Sequence, residues 1–201
     1  MCLKGRGPGN YNPNMGILDL EGGQWMRSQN SKGRVYLIAE KIQDIAISGN
    51  GEPTTADEFE QVIEVIESVL NSLLLLNKTK CVLITNGSLV NRDYVRKALK
   101  RLALINGEVW FKIDSATTDG IDRINQISGT ELSTLKRLDI TANHCPTYIQ
   151  TCVFTYEGKE PSENDKKAYI ELLREAIDRK IPFKGVLLYG VERPSLLPEA
   201  S

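Results

Sequence analysis

From Gln43 onward, short runs rich in Ile, Val, Leu and aromatic residues alternate with segments whose apolar positions recur every three or four residues. The β-like runs are Asp44–Ser48, Cys81–Thr85, Val109–Ile113, Tyr148–Phe154 and Lys184–Tyr189. Several are apolar on both faces, as strands of a buried parallel sheet are. Between the first two, Thr55-Ala56-Asp57-Glu58 has the form of a capping box. Phe59, Val62, Ile63, Ile66, Leu70, Leu73 and Leu74 then mark one helical face. A second helix is expected from about Asn91, with Tyr94, Val95, Ala98, Leu99 and Leu102 inward and Gly107 just beyond its end. Ile121, Ile124 and Ile127 suggest a short helix, and Leu132, Leu135 and Leu138 another. The last helix opens at Ser162 with Asp165 three positions on, and carries Ala168, Ile170, Leu173 and Ile177.

Strand starts fall 37, 28, 39 and 36 residues apart, the length of a βα unit. Each crossover is long enough for a helix, so the strands are expected to be parallel. No repeat or internal linker interrupts this, and residues 1–201 read as one α/β domain: a loop-rich segment over 1–33, then βα repeats over 34–201. Residues 5–16 hold four glycines and two prolines, while Pro194 and Pro198 follow the last strand without a closing element. Both ends read as cut rather than finished.

Composition narrows the class. A chain of 201 residues, 41% hydrophobic and 25% charged, suits one domain and excludes disorder, collagen and a disulfide-stapled miniprotein. A net charge of −1 leaves no electrostatic footprint for nucleic acid or an anionic membrane. No apolar run approaches the roughly 18 residues that crossing a bilayer needs. The segment from Met1 to Gly7 is no signal peptide, so the expected compartment is the cytoplasm, with Cys2, Cys81, Cys145 and Cys152 reduced.

In parallel α/β folds the loops after the strands' carboxyl ends gather on one face and hold the site. Polar residues cluster there: Gly49-Asn50-Gly51-Glu52-Pro53 after the first strand, Thr85-Asn86-Gly87 after the second, Lys112 and Asp114-Ser115 at the third, Gln150-Thr151 in the fourth, Tyr189-Gly190 at the fifth. Turn-making alone accounts for Asn86-Gly87. It does not require a Glu between Gly51 and Pro53, where glycines admit close approach of a ligand and Glu52 offers a carboxylate to a cationic group.

At these residues the chain resembles the radical S-adenosylmethionine (SAM) superfamily. Gly49-Asn50-Gly51-Glu52-Pro53 is similar to that family's Gly-Gly-Glu-Pro motif, with Asn50 in place of the first glycine. Thr85-Asn86-Gly87 and Lys112-Ile113-Asp114 resemble the motifs of its next two strands. Tyr148–Thr151 and Leu188–Pro194 resemble its fifth and sixth strands. The resemblance runs from about Ile42 to Ala200. It implies a partial (β/α)6 open barrel of about five parallel strands with helices outside. It also implies a 4Fe–4S cluster that cleaves SAM reductively to start radical chemistry on a substrate the sequence does not name, with an electron donor as partner. Carried over, Glu52 would accept from the SAM amino group, Asp114 would lie near the ribose with Asn86 and Gln150 as polar neighbours, and Tyr189 and Gly190 would flank the adenine.

The family's C-x3-C-x2-C cluster motif is absent. Cys81 starts a buried strand and reads as structural. Cys145 and Cys152, seven apart, fit no common iron–sulfur or zinc spacing, and His144, the single histidine, has no imidazole partner. Cys2, 47 residues before Gly49, suits the last cysteine of the motif with the other two upstream of Met1; it is equally read as incidental. The leading expectation is a fragment of a radical SAM enzyme. A cluster-less relative serving as a nucleotide- or partner-binding module is the alternative, and an unrelated α/β enzyme is a third; carboxylates at strand ends are too common for Glu52 and Asp114 to be argued as an acid and base pair from sequence. Motifs of P-loop, Rossmann and serine-hydrolase sites are missing.

Overall fold

The computed structural model describes residues 26–29, 35–38, 42–48, 51–121, 124, 132–155 and 158–190. Five strands, β3 (Asp44–Ile47), β4 (Lys80–Thr85), β5 (Gly107–Lys112), β6 (Thr147–Val153) and β7 (Val186–Gly190), form one all-parallel sheet in chain order. Every expected strand is present, with bounds shifted by one or two residues. Ahead of them β1 (Met26–Gln29) and β2 (Val35–Ile38) pair antiparallel as a separate two-stranded sheet. β1 falls within the segment over 1–33 read as loop-rich, and β2 within the stretch read as the start of the βα repeats.

Helices α1 (Phe59–Ser72), α2 (Asp93–Leu104), α4 (Thr134–His144) and α5 (Glu163–Asp178) fill the crossovers, with one turn, α3 (Thr118–Gly120), after β5. A single core joins them to one face of the sheet. Phe59, Ile63 and Leu70 of α1, Val95, Ala98, Leu99 and Leu102 of α2, Leu135 and Leu138 of α4 and Ala176 of α5 cluster with Cys81, Leu83, Val109, Phe111 and Ile149. Because strand side chains alternate, the other face carries the even-numbered positions of β3 to β6 and the odd-numbered ones of β7. These read Ala46–Val82–Glu108, Ile84–Trp110–Tyr148 and Lys112–Gln150–Leu187 across the ladder. That face is polar and aromatic on β5 and β6, so the strands apolar on both faces are β3, β4 and β7 among the five.

Local expectations divide by whether a distant group intervenes. Ser162 and Asp165 form the expected capping box: Asp165 N–H donates to Ser162 Oγ at 3.1 Å and Ser162 N–H to Asp165 Oδ2 at 3.2 Å. The box at Thr55 does not form. Glu58 is the N-cap of α1, without a side-chain cap bond, and the Thr55 hydroxyl instead donates to Glu52 O at 2.7 Å in a 3-10 turn over Pro53–Thr55. Of the expected α1 face, Val62, Leu73 and Leu74 are exposed. Gly107 opens β5 rather than closing α2. Asn106 takes the left-handed turn (φ 60°), and a Cβ on Gly107 would lie 2.3 Å from Leu102 O. Leu132 precedes α4, and Ile127 lies outside the described residues.

The caps give a direct test. Ser162→Ala should lower unfolding free energy by about 1 kcal/mol, while Thr55→Ala, exposed and not capping a helix, should change it by about 0.5 kcal/mol or less. Urea denaturation of both variants checks the ranking, and an equal loss would refute the assignment of α1's start.

Candidate functional site at the carboxyl ends of the strands

The loop leaving β3 and the loop leaving β4 are joined by one carboxylate. Glu52 Oε1 accepts from the Thr54 hydroxyl at 2.7 Å, Thr54 N–H at 3.2 Å and the Thr85 hydroxyl at 2.5 Å; Oε2 accepts Asn86 N–H at 2.8 Å. Four donors meet the roughly four lone-pair positions a carboxylate presents. Behind the same loop lies Arg137 of α4, only 4% exposed. Its guanidinium donates to Asn86 O at 2.8 Å and to the Thr134 hydroxyl at 3.1 Å, with Nε buried and unpartnered. Burial pulls its pKa down against the upward pull of the Glu52 charge. The Asn86 peptide is thus held by an anion at its N–H and a cation at its carbonyl. Asn86 Oδ1 accepts Ser88 N–H at 2.8 Å, and Gly87 turns at φ 69° where a Cβ would strike the Phe111 ring at 2.3 Å. At Gly51, by contrast, a Cβ would meet nothing within 4 Å.

A second group spans β5 to β7. Asp114 follows β5 with its side chain 6% exposed; Oδ1 accepts Cys152 N–H at 3.0 Å, and Oδ2 lies 3.7 Å from Lys112 Nζ. Cys152 faces Tyr189 across the ladder, and their side chains hydrogen-bond; burial nevertheless raises the thiol pKa above its ordinary value. Gly190 pairs with Val153, with only Val153 O near the position of a Cβ, at 3.9 Å. Gln150, paired with Lys112 and Leu187 on the open face, is 6% exposed, and its Oε1 has no hydrogen-bond partner. One row toward the amino ends, Trp110 donates from Nε1 to Glu108 at 2.8 Å, and Glu108 pairs with Lys80 at 3.0 Å. On the helix side, the Thr151 hydroxyl meets Tyr169 Oη at 2.6 Å, and burial raises the Tyr169 pKa.

Glu52, Asn86, Asp114, Gln150, Tyr189 and Gly190 therefore stand along the carboxyl-terminal half of one sheet, in two groups: Glu52 with Asn86, and Asp114, Gln150 and Tyr189 with Lys112 and Cys152. Pro53 starts the 3-10 turn that shapes the first group. Cys2, Gly49 and Asn50 lie outside the described residues. A depression of about 230 Å³ on α5, lined by Lys166, Lys167, Ile170, Glu171 and Arg174, includes none of these positions. Sequence reasoning missed Arg137, whose partner lies 51 positions away, and Thr85 as a donor to Glu52. The one signal for Arg137 was a charged residue between Leu135 and Leu138 on an inward-facing turn.

Among the described residues, no group of three or more His, Cys, Asp or Glu converges as metal ligands do. Cys81 and Cys145 sit in the core, where burial pushes their thiols up to about 11 and about 12. His144 Nδ1 meets Ile140 O at 2.7 Å inside its own helix. Among the described residues, no helix is long and apolar enough to cross a membrane.

No family model matches the chain. It is similar to the Synechocystis protein described as UPF0026 protein slr1464, 31% identical over 93 residues, which are 46% of this chain and 31% of that protein. The chain thus spans about a third of the length of this curated relative, whose description names no ligand or activity.

Two outcomes follow from the geometry. Glu52→Gln should reduce stability by about 2 kcal/mol and Arg137→Met by about 3 kcal/mol, since each leaves its own buried partners without a charged group to bond. Because both hold the Asn86 peptide, the double variant should lose clearly less than the sum; additivity within about 0.5 kcal/mol would mean two independent contacts. Among the described thiols, Cys152 should be alkylated by iodoacetamide at pH 8 well before Cys81 and Cys145. These stay protonated and covered, and peptide mass spectrometry reads the order.

Proposed function

We propose that the carboxyl-terminal face of the sheet binds SAM, as the SAM-binding part of a radical SAM-type enzyme built on a partial (β/α)6 open barrel. The observation that carries this reading is the joining of two motif pieces: Gly51-Glu52-Pro53 is fastened to Thr85-Asn86 through the Glu52 carboxylate. The sheet order adds support. Right-handed crossovers between strands taken in sequence keep the helices on one side, as in a barrel wall, and leave the other face for a ligand.

The residues present fit the organic part of SAM. Gly51 leaves room at its Cα for a group lying against the backbone. Glu52, already holding four donors, shapes that loop and adds negative potential near a bound ammonium group. Asp114 and the Tyr189–Gly190 strand end lie at the other side for ribose and adenine. The described residues do not fit a 4Fe–4S cluster: the thiols of Cys81 and Cys145 are sealed in the helix-side core, and Cys152 stands on the opposite face. No step through a cluster follows from these residues. That placement favours a second reading, a cluster-less SAM- or nucleotide-binding module.

Saturation-transfer NMR with SAM tests the site. Transfer to adenine and ribose protons is expected, with a Kd on the order of 0.1 mM or weaker, because a few hydrogen bonds must offset the lost translational and rotational freedom. Gly51→Val should abolish transfer while changing the thermal midpoint little, since a Cβ there has no heavy atom within 4 Å beyond its chain neighbours. Absence of transfer at any SAM concentration up to about 5 mM, or transfer indifferent to Gly51→Val, would overturn the proposal. Anaerobic reconstitution with iron and sulfide separates the two readings. A stable 4Fe–4S spectrum with SAM-dependent 5′-deoxyadenosine favours the enzyme; SAM binding without either favours the module.

A further inference from the structure

Among the described residues, two surfaces lack a neighbour, and they lie at the two open edges of the sheet. β3 and β7 end the five-stranded order, each with one side of its backbone unpaired in that sheet. Edge strands are commonly blunted by proline or lysine; these two read Asp-Ile-Ala-Ile and Val-Leu-Leu-Tyr-Gly, with Asp44 as their one charged residue. The helices beside them are apolar on the matching flanks. On α1, Glu64 and Glu67 bind Arg101 of α2, which fixes the flank turned toward the rest of the sheet. The other flank faces beyond β3 and carries Val62, Val65, Val69 and Leu73, which are 39% to 61% exposed. On α5, Asp165 accepts from the Thr117 hydroxyl at 2.9 Å on the side of β5, so the opposite flank faces beyond β7. It carries Ile170 and Ile177, 46% and 62% exposed, and Leu188 of β7 on the same side of the sheet is 66% exposed.

We infer that these two edges are partners of each other in a pair of identical chains. The β7 edge and α5 flank of one copy pack on the β3 edge and α1 flank of the second, which returns the contact, so that two five-stranded sheets close into a two-fold ring. Within one sheet β4, β5 and β6 keep the edges apart, so the contact needs a second copy. Strands and helices run the same way at both edges, and a β7–β3 junction repeats the parallel junctions inside the sheet, with α5 beside α1 as α1 is beside α2. Counted from the helix starts, Ile170 falls level with Val65 and Val69, and Ile177 with Leu73. The depression of about 230 Å³ on α5 lies on this flank and receives the valine side chains. Charge agrees with the match. Lys166, Lys167 and Arg174 line that depression against the single carboxylate of Glu171, while α1 has no basic residue and Glu58 stands at the head of its apolar flank. A ring of two makes the contact twice, which doubles the area toward the roughly 800 Å² per partner that stable pairs bury. Closure also turns the polar open faces of β5 and β6 from both copies to a common interior.

This pairing goes beyond SAM binding and does not depend on it; association is read without ligand, so either can fail alone. Sedimentation equilibrium of the whole chain should give twice the chain mass, with a Kd below about 100 µM. Val65→Glu removes the α1 flank alone and Ile170→Glu the α5 flank alone. Each should weaken association by about 10-fold or more with little change in thermal midpoint, since both positions are exposed. Mixed, the two variants should associate more tightly than either does alone, because the mixture restores one intact junction. Leu73→Ser and Ile177→Ser give the same comparison where a glutamate variant unfolds. A monomer at concentrations up to about 0.5 mM would overturn the inference and leave the flanks to a different chain or segment. Weakening in only one of the two variants, or a mixture no tighter than its components, would mean that like edges pair with like and equally overturn it. A mass that keeps growing past the dimer with concentration would mean an open string of copies and overturn the ring.

Discussion

The two-sided grip on the Asn86 peptide is the constraint on which the carboxyl-terminal face depends. β3 has only four residues and stands at an edge of the described five-stranded sheet, so its ladder to β4 fixes the strand but not the loop beyond it. That loop is fixed by Glu52, which crosses to Thr85 and Asn86 and keeps the exits of β3 and β4 in one geometry. Arg137 completes the arrangement from α4 and ties a helix two crossovers later to the same peptide. A charge pair acting through a peptide group has a directional effect that apolar packing lacks: it sets which way the Asn86 N–H and carbonyl point. With Gly87 seated against Phe111, the β4 exit has little freedom left.

A carboxylate so engaged has a different part from one waiting for a ligand. All four donors to Glu52 belong to the protein, two of them from the residue two positions ahead in its own turn. Toward the ligand proposed for this face, such a carboxylate would act through its field and the shape of its loop, and direct contact would fall to the backbone around Gly51. Sheet topology makes a similar division at larger scale. Strands taken in order, with every crossover helix on one side, leave the opposite face without helices among the described residues. The even-numbered positions of β5 and β6 answer with Glu108, Trp110, Lys112, Tyr148 and Gln150, residues that an apolar cover would leave unsatisfied.

What was legible in the sequence was what neighbours in the chain decide. The five strands are compact runs of strand-forming residues separated by helix-length crossovers, and all five are found. The Ser162 cap is legible because both partners lie within one turn. Thr55 has the same pattern, yet its hydroxyl goes to the Glu52 carbonyl because Pro53 starts a turn of its own. Arg137 was illegible for the opposite reason: its meaning comes from Asn86, far away in sequence. β1 was illegible too, because Met26-Arg27-Ser28-Gln29 has neither strand-forming bias nor alternation. Glu52 was singled out by its setting between Gly51 and Pro53; its four protein donors were not, since two of them come from β4 and its exit.

The cysteines separate two questions that the family resemblance runs together. Binding the organic groups of SAM needs a pocket at strand ends, and the Glu52 and Asp114 groups stand at such ends. Holding a cluster needs three thiolates on one loop, and the described thiols are distributed by packing: Cys81 and Cys145 behind the sheet as small apolar fillers, Cys152 in front, bonded to Tyr189. A thiol pushed to about 11 or 12 by burial is a poor metal ligand, because the thiolate form that binds iron is the form burial disfavours. The described thiols therefore bear on the metal half of such a site alone, and the groups around Glu52 and Asp114 on its organic half alone.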